Sequence, residues 1–430
     1  MDNTEAKTKI LNSFLDRTWF YSWKNKINDP YRSLELIIND NCDQTCKYCY
    51  EIKYGKYYFT EESKKPENIL KNIKILIQWL KENKFYPTIE IFSSEIFSQE
   101  IGFQILEVLF DELDENFESI VIPTNMNFIF DDMKTKRVKE LKENFEKKGI
   151  YLSLSASIDG AFMEENRPIR CGIQRDEVFY DKLFKFSKEN HIAFHPMIYS
   201  NRIEYWKDNW LWFQENFKKY DIPFNSIYLL EVRNVEWSVE QVREFGKFLK
   251  FLIQWTFEFF GRNKETFSSF ILGGGFNILQ SIFTTTGRGI PCSIQSTLSV
   301  RTGDLMIVPC HRTSYEQFHG GRFTVKDDRI VGIEGINPLL FIQIKSFDNN
   351  TQPYCESCYI KYLCSKGCLG AQFETTGDLF TPIPTVCRLE HVRVITILDE
   401  LNKLGCLGMI LERVTKLKRD NVLLAMEEFV

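Results

Sequence analysis

The 430-residue sequence contains no uninterrupted apolar run of eighteen residues, which leaves no candidate for a transmembrane helix. Its opening, Met1-Asp-Asn-Thr-Glu-Ala-Lys7, lacks the apolar core of a secretory signal. An excess of positive charge is also missing. The net charge is −5 with a pI near 5.8, so a partner held mainly through phosphates is not expected. There is no repeat of solenoid length and no low-complexity tract. Gly273-Gly274-Gly275 is followed by no Lys-Ser/Thr pair and reads as a joint, not a phosphate loop. From these absences a cytoplasmic protein is expected, with neither membrane nor nucleic acid as partner. Cysteine, by contrast, is plentiful. Twelve thiols in a reducing compartment argue for bound metal over disulfides.

From residue 33 the pattern alternates short β-like runs with long amphipathic stretches. Strands are expected at 33–39, 88–92, 120–122, 151–157, 192–198 and 226–232. Helices are expected near 67–80, 99–116, 131–148, 176–190, 202–220 and 239–260, and Trp206, Trp210 and Trp212 read as core on one of them. Six strand-then-helix units call for parallel strands and right-handed crossovers. The predicted fold class is therefore α/β, a partial (β/α)6 barrel. A small cysteine-rich domain follows it, then C-terminal helices. The expected division is an extension over 1–32, the barrel over 33–270, the cysteine-rich domain over 271–390 and a helical tail over 391–430. In a parallel sheet the ligand site lies at the carboxyl ends of the strands. The loop after strand one falls there.

That loop is Cys42-Asp-Gln-Thr-Cys46-Lys-Tyr48-Cys49. Three thiolates at this spacing can hold three corners of a 4Fe-4S cluster and leave the fourth iron without a protein ligand. The other reading is a structural zinc knuckle, but zinc asks for four ligands and no fourth Cys or His is near. Residues 292–387 carry seven cysteines and a hairpin-like stretch around Gly303. Their C-x2-C and C-x3-C pairs suit either iron-sulfur clusters or a zinc ribbon.

Cys42, Cys46 and Cys49, with Tyr48 ahead of the last thiol, resemble the cluster loop of the radical S-adenosylmethionine superfamily. The resemblance implies that the open iron chelates S-adenosylmethionine, which is cleaved by an electron to a 5'-deoxyadenosyl radical. Further segments are similar. Thr124-Asn125 resembles a Thr-Asn-Gly segment with Met126 in the glycine's place, and Ser157-Ile-Asp159-Gly160 resembles a Ser-x-Asp-Gly. By the resemblance Ser157 meets the ribose and Arg167 the carboxylate. Where the family has Gly-Gly-Glu-Pro, this chain has Ser93-Ser94-Glu95-Ile96, with Glu95 kept as an acceptor for the methionyl amine.

Cys355-x2-Cys358-x5-Cys364-x3-Cys368 and Cys387, preceded by Cys292 and Cys310, resemble the SPASM domain with its two auxiliary clusters. The resemblance gives one cluster to Cys355, Cys358, Cys364 and Cys387. It gives the other to Cys292, Cys310 and Cys368, its fourth position left open or closed by His311 or substrate.

The function implied is hydrogen abstraction from a peptide or protein substrate, as in maturases that cross-link or epimerise ribosomally made peptides. Sulfatase maturation, small-molecule radical chemistry and a non-catalytic iron-sulfur or zinc scaffold remain alternatives. Sulfatase maturases commonly carry an acidic base directly after the second auxiliary cysteine, and here that residue is His311. His311 is a catalytic or ligand candidate, or a hairpin-end histidine. Cys171 and Cys406 read as buried, inert thiols, with Cys171 also a hydrogen-donor candidate. His191, His195, His319 and His391 read as structural or surface residues. An external electron donor such as flavodoxin or ferredoxin is implied. The first forty residues are too few for a leader-binding domain, so precursor recognition is expected to use the barrel surface, the tail or a separate leader-peptide-binding protein.

Overall fold

In the computed structural model the described residues are 33–38, 42–54, 60–92, 94–284, 294, 297–335, 337, 339–340, 343–344 and 347–428. The expected extension over 1–32, and the positions Ser93 and Cys292, lie outside them. In chain order the elements begin with β1 (Ser33–Ile37), α1 (Tyr50–Tyr54), α2 (Pro66–Glu82), β2 (Thr88–Phe92), α3 (Glu100–Glu112), β3 (Ser119–Thr124), α4 (Asp132–Lys147) and β4 (Tyr151–Ala156). There follow α5 (Glu177–Asn190), β5 (Ala193–Phe194), β6 (Met197–Ile198), α6 (Trp206–Lys219), β7 (Leu230–Glu231), α7 (Val239–Phe259), α8 (Lys264–Gly273) and α9 (Asn277–Thr284). The remainder are β8 (Thr297–Arg301), β9 (Met306–Val308), β10 (Gly321–Lys326), β11 (Arg329–Glu334), α10 (Pro353–Glu356), α11 (Leu369–Thr376), α12 (Pro384–Lys403), α13 (Leu407–Leu411) and α14 (Lys416–Glu427).

Two compact units emerge. The first comprises the described residues of Met1–Ala156, Ile169–Leu183 and Cys292–Ser346, the second those of Ser157–Pro168, Phe184–Pro291 and Phe347–Val430.

In the first unit the sheet order runs β11-β10-β9-β8-β1-β2-β3-β4. Strands β8, β1, β2, β3 and β4 are mutually parallel, whereas β9 to β11 are antiparallel additions. Strand β1 is flanked on both sides and all five of its residues are buried. Alternation gives this sheet two different faces. Leu34, Leu36, Ile89, Ile91, Leu298 and Val300 form an apolar one, buried in the core. Register places Ser33, Glu35, Glu90, Thr297, Ser299 and Arg301 on the other. Ser33 Oγ and Thr297 Oγ1 lie 3.1 Å apart across this face, and Thr88 Oγ1 and Ser119 Oγ also 3.1 Å. Helix α2 starts on Pro66, whose fixed φ suits the first turn, and buries Ile69, Ile73, Ile77 and Leu80 at helical spacing.

The second unit holds the long helices. Ser238 and Gln241 form a reciprocal capping box at the start of α7, which packs along α12. Trp206 and Trp210 are fully buried, as their spacing implied, whereas Trp212, two positions on, is only half-buried. Two expected strands are shorter than the pattern suggested. The run 192–198 is divided into β5 and β6 around His195-Pro196, where proline offers no ladder donor. The run 226–232 keeps only β7 as a strand, because the Asn277 side chain bonds both Leu229 N (2.8 Å) and Leu229 O (2.5 Å) in place of a neighbouring strand.

Candidate functional site

Parallel register brings the carboxyl ends of β1, β2 and β3 to one edge, and their loops interlock there. Asp43, between the first two cysteines, accepts from Asn125 Nδ2 at 2.5 Å and from Asn127 Nδ2 at 2.9 Å. Arg175 holds the same turn through Asn127 Oδ1 at 2.9 Å and Asn125 O at 3.2 Å. Glu95 is buried and uses both carboxylate oxygens: Oε1 accepts from Thr124 Oγ1 (2.8 Å) and Phe97 N (3.2 Å), Oε2 from Asn125 N (2.6 Å). Burial lifts its carboxyl to about 7 against these bonds. Glu95, Thr124 and Asn125 are thus gathered with the cysteine loop, and each side chain is engaged in joining β2 and β3 to that loop.

The loop presents Cys42, Cys46 and Cys49 half-buried, beside a half-buried Tyr48. Cys49 N donates to Cys46 O at 3.0 Å, and Gln44 N to Cys42 Sγ at 3.4 Å. Burial foremost, and then the charge of Glu95, pushes the Cys42 thiol well above its ordinary value. Burial and then Glu51 push Cys49 to about 12. Glu51 also ties the loop to the next one, accepting from Ser94 N at 2.9 Å. Gln44 is buried, and its Nε2 has no hydrogen-bond partner among the described residues. Three thiols with an inward amide donor left over fit a sulfide-bearing anionic cluster. Among the described residues no three His, Cys, Asp or Glu side chains converge as on a single metal ion.

Two departures from the resembled motifs share one conformation. Ser94 and Met126, standing where glycine is expected, both have φ of 61°, in the left-handed region that glycine occupies most easily. Both positions thus adopt, without glycine, a conformation that glycine takes most easily.

On the polar sheet face, His311 stacks on Phe92 with ring centroids 4.2 Å apart and points Nδ1 at Glu35 Oε1, 3.1 Å away. Its backbone N–H donates to Glu35 Oε2 at 3.0 Å, and Ser299 Oγ donates to the same oxygen. Burial alone would raise Glu35, yet the facing His311 and these bonds bring its pKa below the usual range. Burial alone would lower His311, yet Glu35 raises it. Glu35 was legible only as a polar interruption of an apolar run. Cys310 lies just before this histidine, in the first unit. Cys171, also in the first unit, is exposed and not buried as expected, whereas Cys406 is buried.

In the second unit Ser157 is half-buried and Asp159 is fully committed. Asp159 Oδ1 accepts from Met197 N at 2.9 Å and pairs with Arg167 Nε at 2.8 Å. Gly160 has φ of 106°, and a Cβ there would sit 2.3 Å from Asn209 Oδ1, so glycine is required. His195 neighbours this pair; burial, then the charge of Arg167, lower it to about 4.

The later cysteines are organised by a buried ionic network. Arg233 pairs with Glu231 (2.6 Å) and donates to Lys366 O (2.9 Å) and Ser365 Oγ (3.1 Å). Glu390 pairs with Arg393 (2.6 Å) and accepts from Ser365 N and Oγ, each at 2.7 Å. The segment between Cys364 and Cys368 is clamped from both sides. Lys366 N donates to Cys364 Sγ at 3.2 Å, repeating the arrangement of Gln44 over Cys42. Cys355, Cys358, Cys364 and Cys387 all lie within reach of the Lys366 charge. His391, four residues past Cys387 on α12, holds Cys387 O with Nδ1 at 2.7 Å and sets Nε2 3.7 Å from Cys358 Sγ. It belongs to the cysteine group, not to the surface as expected, because the helix brings it one turn past Cys387. Cys368 caps α11 in the second unit and packs on Ala371, Ile383 and Val386.

The sequence matches no protein-family profile and no curated protein. The fold does have solved counterparts. One is native anSMEcpe with bound AdoMet and Cp18Cys peptide, at 18% identity and a TM-score of 0.56, covering 87% of this chain and 99% of that one. Another is hexahistidine-tagged anSMEcpe with bound AdoMet, at 18% identity and TM-score 0.54, with coverage of 87% and 99%. Streptococcus suis SuiB bound to precursor peptide SuiA matches at 13% identity and TM-score 0.49, covering 85% and 78%. The chain therefore shares the α/β fold of anSMEcpe and carries a cysteine-rich C-terminal region.

Proposed function

We propose that the chain is a radical S-adenosylmethionine enzyme that acts on a peptide, in the manner of maturases of ribosomally made peptides. The observation that carries this reading is the cysteine loop at the carboxyl edge of β1, locked by Asp43, Glu95 and Asn125 to the loops after β2 and β3. Cys42, Cys46 and Cys49 hold a 4Fe-4S cluster with one iron free for S-adenosylmethionine. When bound, these groups supply a 5'-deoxyadenosyl radical that removes hydrogen from substrate. Gln44 Nε2, left without a partner among the described residues, would be a donor to the cluster, and the resemblance assigns Ser94, Thr124, Ser157 and Arg167 to cofactor binding. Glu35 orients His311 through Nδ1, leaving Nε2 as the nitrogen that gives or takes a proton at substrate.

A peptide substrate is favoured because anSMEcpe, the solved counterpart at TM-score 0.56, was crystallised with AdoMet and a peptide. Cys355, Cys358, Cys364 and Cys387 form an auxiliary cluster, and Cys310 and Cys368, with Cys292, a second one. An external donor such as flavodoxin or ferredoxin supplies the electron. The test is transfer of deuterium from a deuterated candidate peptide into 5'-deoxyadenosine, read by mass spectrometry. Label in the nucleoside supports the reading; unlabelled nucleoside with every peptide offered contradicts it.

Sulfatase maturation is the second reading, favoured by the same likeness to anSMEcpe. Conversion of a cysteine-containing sulfatase peptide to its aldehyde product would establish it.

A further inference from the structure

Lys366 is buried, at 5% exposure, and adopts φ of 65°, a backbone conformation that costs a long side chain free energy. Its ammonium reaches the carbonyl oxygen of Lys361, and among the described residues no carboxylate pairs with it. A second buried lysine, Lys418, bonds Tyr362 O at 3.0 Å and lies close enough for the two ammonium groups to repel. Burying a cation without a counter-charge is unfavourable, and a like charge nearby makes it more so. Yet the segment is held in place by Arg233 and Glu390 on either side, so the position is built and not incidental.

Lys366 sits in a cysteine-rich turn: it follows Cys364 by two residues, and its ammonium bonds the carbonyl oxygen of Lys361, which lies between Cys358 and Cys364 in the chain. The Lys366 N–H donates to Cys364 Sγ, and its charge acts on Cys355, Cys358, Cys364 and Cys387 alike. Four thiolates around a 4Fe-4S core of charge +2 leave a net −2, which becomes −3 on one-electron reduction. The geometry points to Lys366 as the fixed counter-charge of an iron-sulfur cluster held by these four cysteines, a positioning residue that raises the cluster's reduction potential. The inference rests on the cluster reading proposed above and adds to it a reason for the buried lysine. Because reduction adds negative charge beside a fixed cation, Lys366 favours the reduced form.

The test compares Lys366→Gly and Lys366→Arg with the parent, in full-length chain carrying Cys42→Ala, Cys46→Ala and Cys49→Ala so that the radical-generating cluster is silent. Glycine removes the charge and is at ease at this φ, so loss of fold is not the expected result. Arginine keeps the charge. After anaerobic reconstitution, iron and sulfide are counted and the potential is read by redox titration followed by electron paramagnetic resonance. The expected result is a potential lowered in Lys366→Gly and close to the parent's in Lys366→Arg. Loss of iron from the glycine variant with retention in the arginine variant also supports the assignment. Full iron with an unchanged potential in Lys366→Gly overturns it, as does equal loss of iron from both variants. A parent that binds no iron at these cysteines contradicts the cluster reading itself, and the inference with it.

Discussion

His311 Nδ1 lies 3.1 Å from Glu35 Oε1, and the two residues stand 276 positions apart in the chain. Strand β8, parallel to β1, and its antiparallel partner β9 carry His311 back over the central glutamate. Breaking a buried pair of this kind by removing one partner costs about 3–5 kcal/mol. Glu35→Ala is therefore expected to destabilise by that order, and Glu35→Ala with His311→Ala by less than the sum of the single losses. Anaerobic urea unfolding of the four proteins checks it.

The pair also sets a pH window. Glu35 is lowered below 4.5, so its contribution is present above that value and is lost as pH falls through its folded value. His311 is raised above 6.5, so its contribution is full below that value and is lost as pH rises through its folded value. The stability gap between the natural protein and Glu35→Gln should be widest between pH 4.5 and 6.5. A gap that grows steadily above pH 8 contradicts the assignment.

Ser94 occupies left-handed backbone at φ 61°. Ser94→Gly should be at least as stable as the parent, whereas Ser94→Val, β-branched at the same φ, should lose about 1–2 kcal/mol. Thermal unfolding of the two variants decides this. S-adenosylmethionine binding measured by calorimetry should survive in the glycine variant.

His195 is held neutral down to about pH 4, first by burial and then by Arg167. An unfolded histidine takes up its proton near 6.5, so acidification between these values favours unfolding, by up to about 3 kcal/mol. Thermal midpoints from pH 7 to 4.5 should fall less steeply for His195→Gln than for the natural residue. Parallel curves would remove this role.

Much of this was legible in sequence because it rests on local pattern. The alternation Leu34-Glu-Leu-Ile37 marked a strand, and the spacing of Cys42, Cys46 and Cys49 marked a loop at its end. What was hidden depends on long-range pairing. Nothing near Glu35 announces Ser299 or His311, and Asp43 names neither Asn125 nor Arg175 as partner. Strand 192–198 was overread because Pro196 lies within an apolar run whose composition otherwise favours β. His391 read as a structural or surface residue, and nothing in the sequence singled out Lys366. Only the fold shows that the turn after Cys364 is buried and that one helical turn separates Cys387 from His391.

The most direct test of the central claim is the fate of S-adenosylmethionine. The protein is reconstituted anaerobically with iron and sulfide, reduced with dithionite, and assayed for 5'-deoxyadenosine by liquid chromatography, beside Cys42→Ala, Cys46→Ala and Cys49→Ala. The account predicts 5'-deoxyadenosine from the natural protein and none above background from any of the three variants. Iron bound in full by the natural protein with no 5'-deoxyadenosine formed, or equal product from the variants, would contradict it.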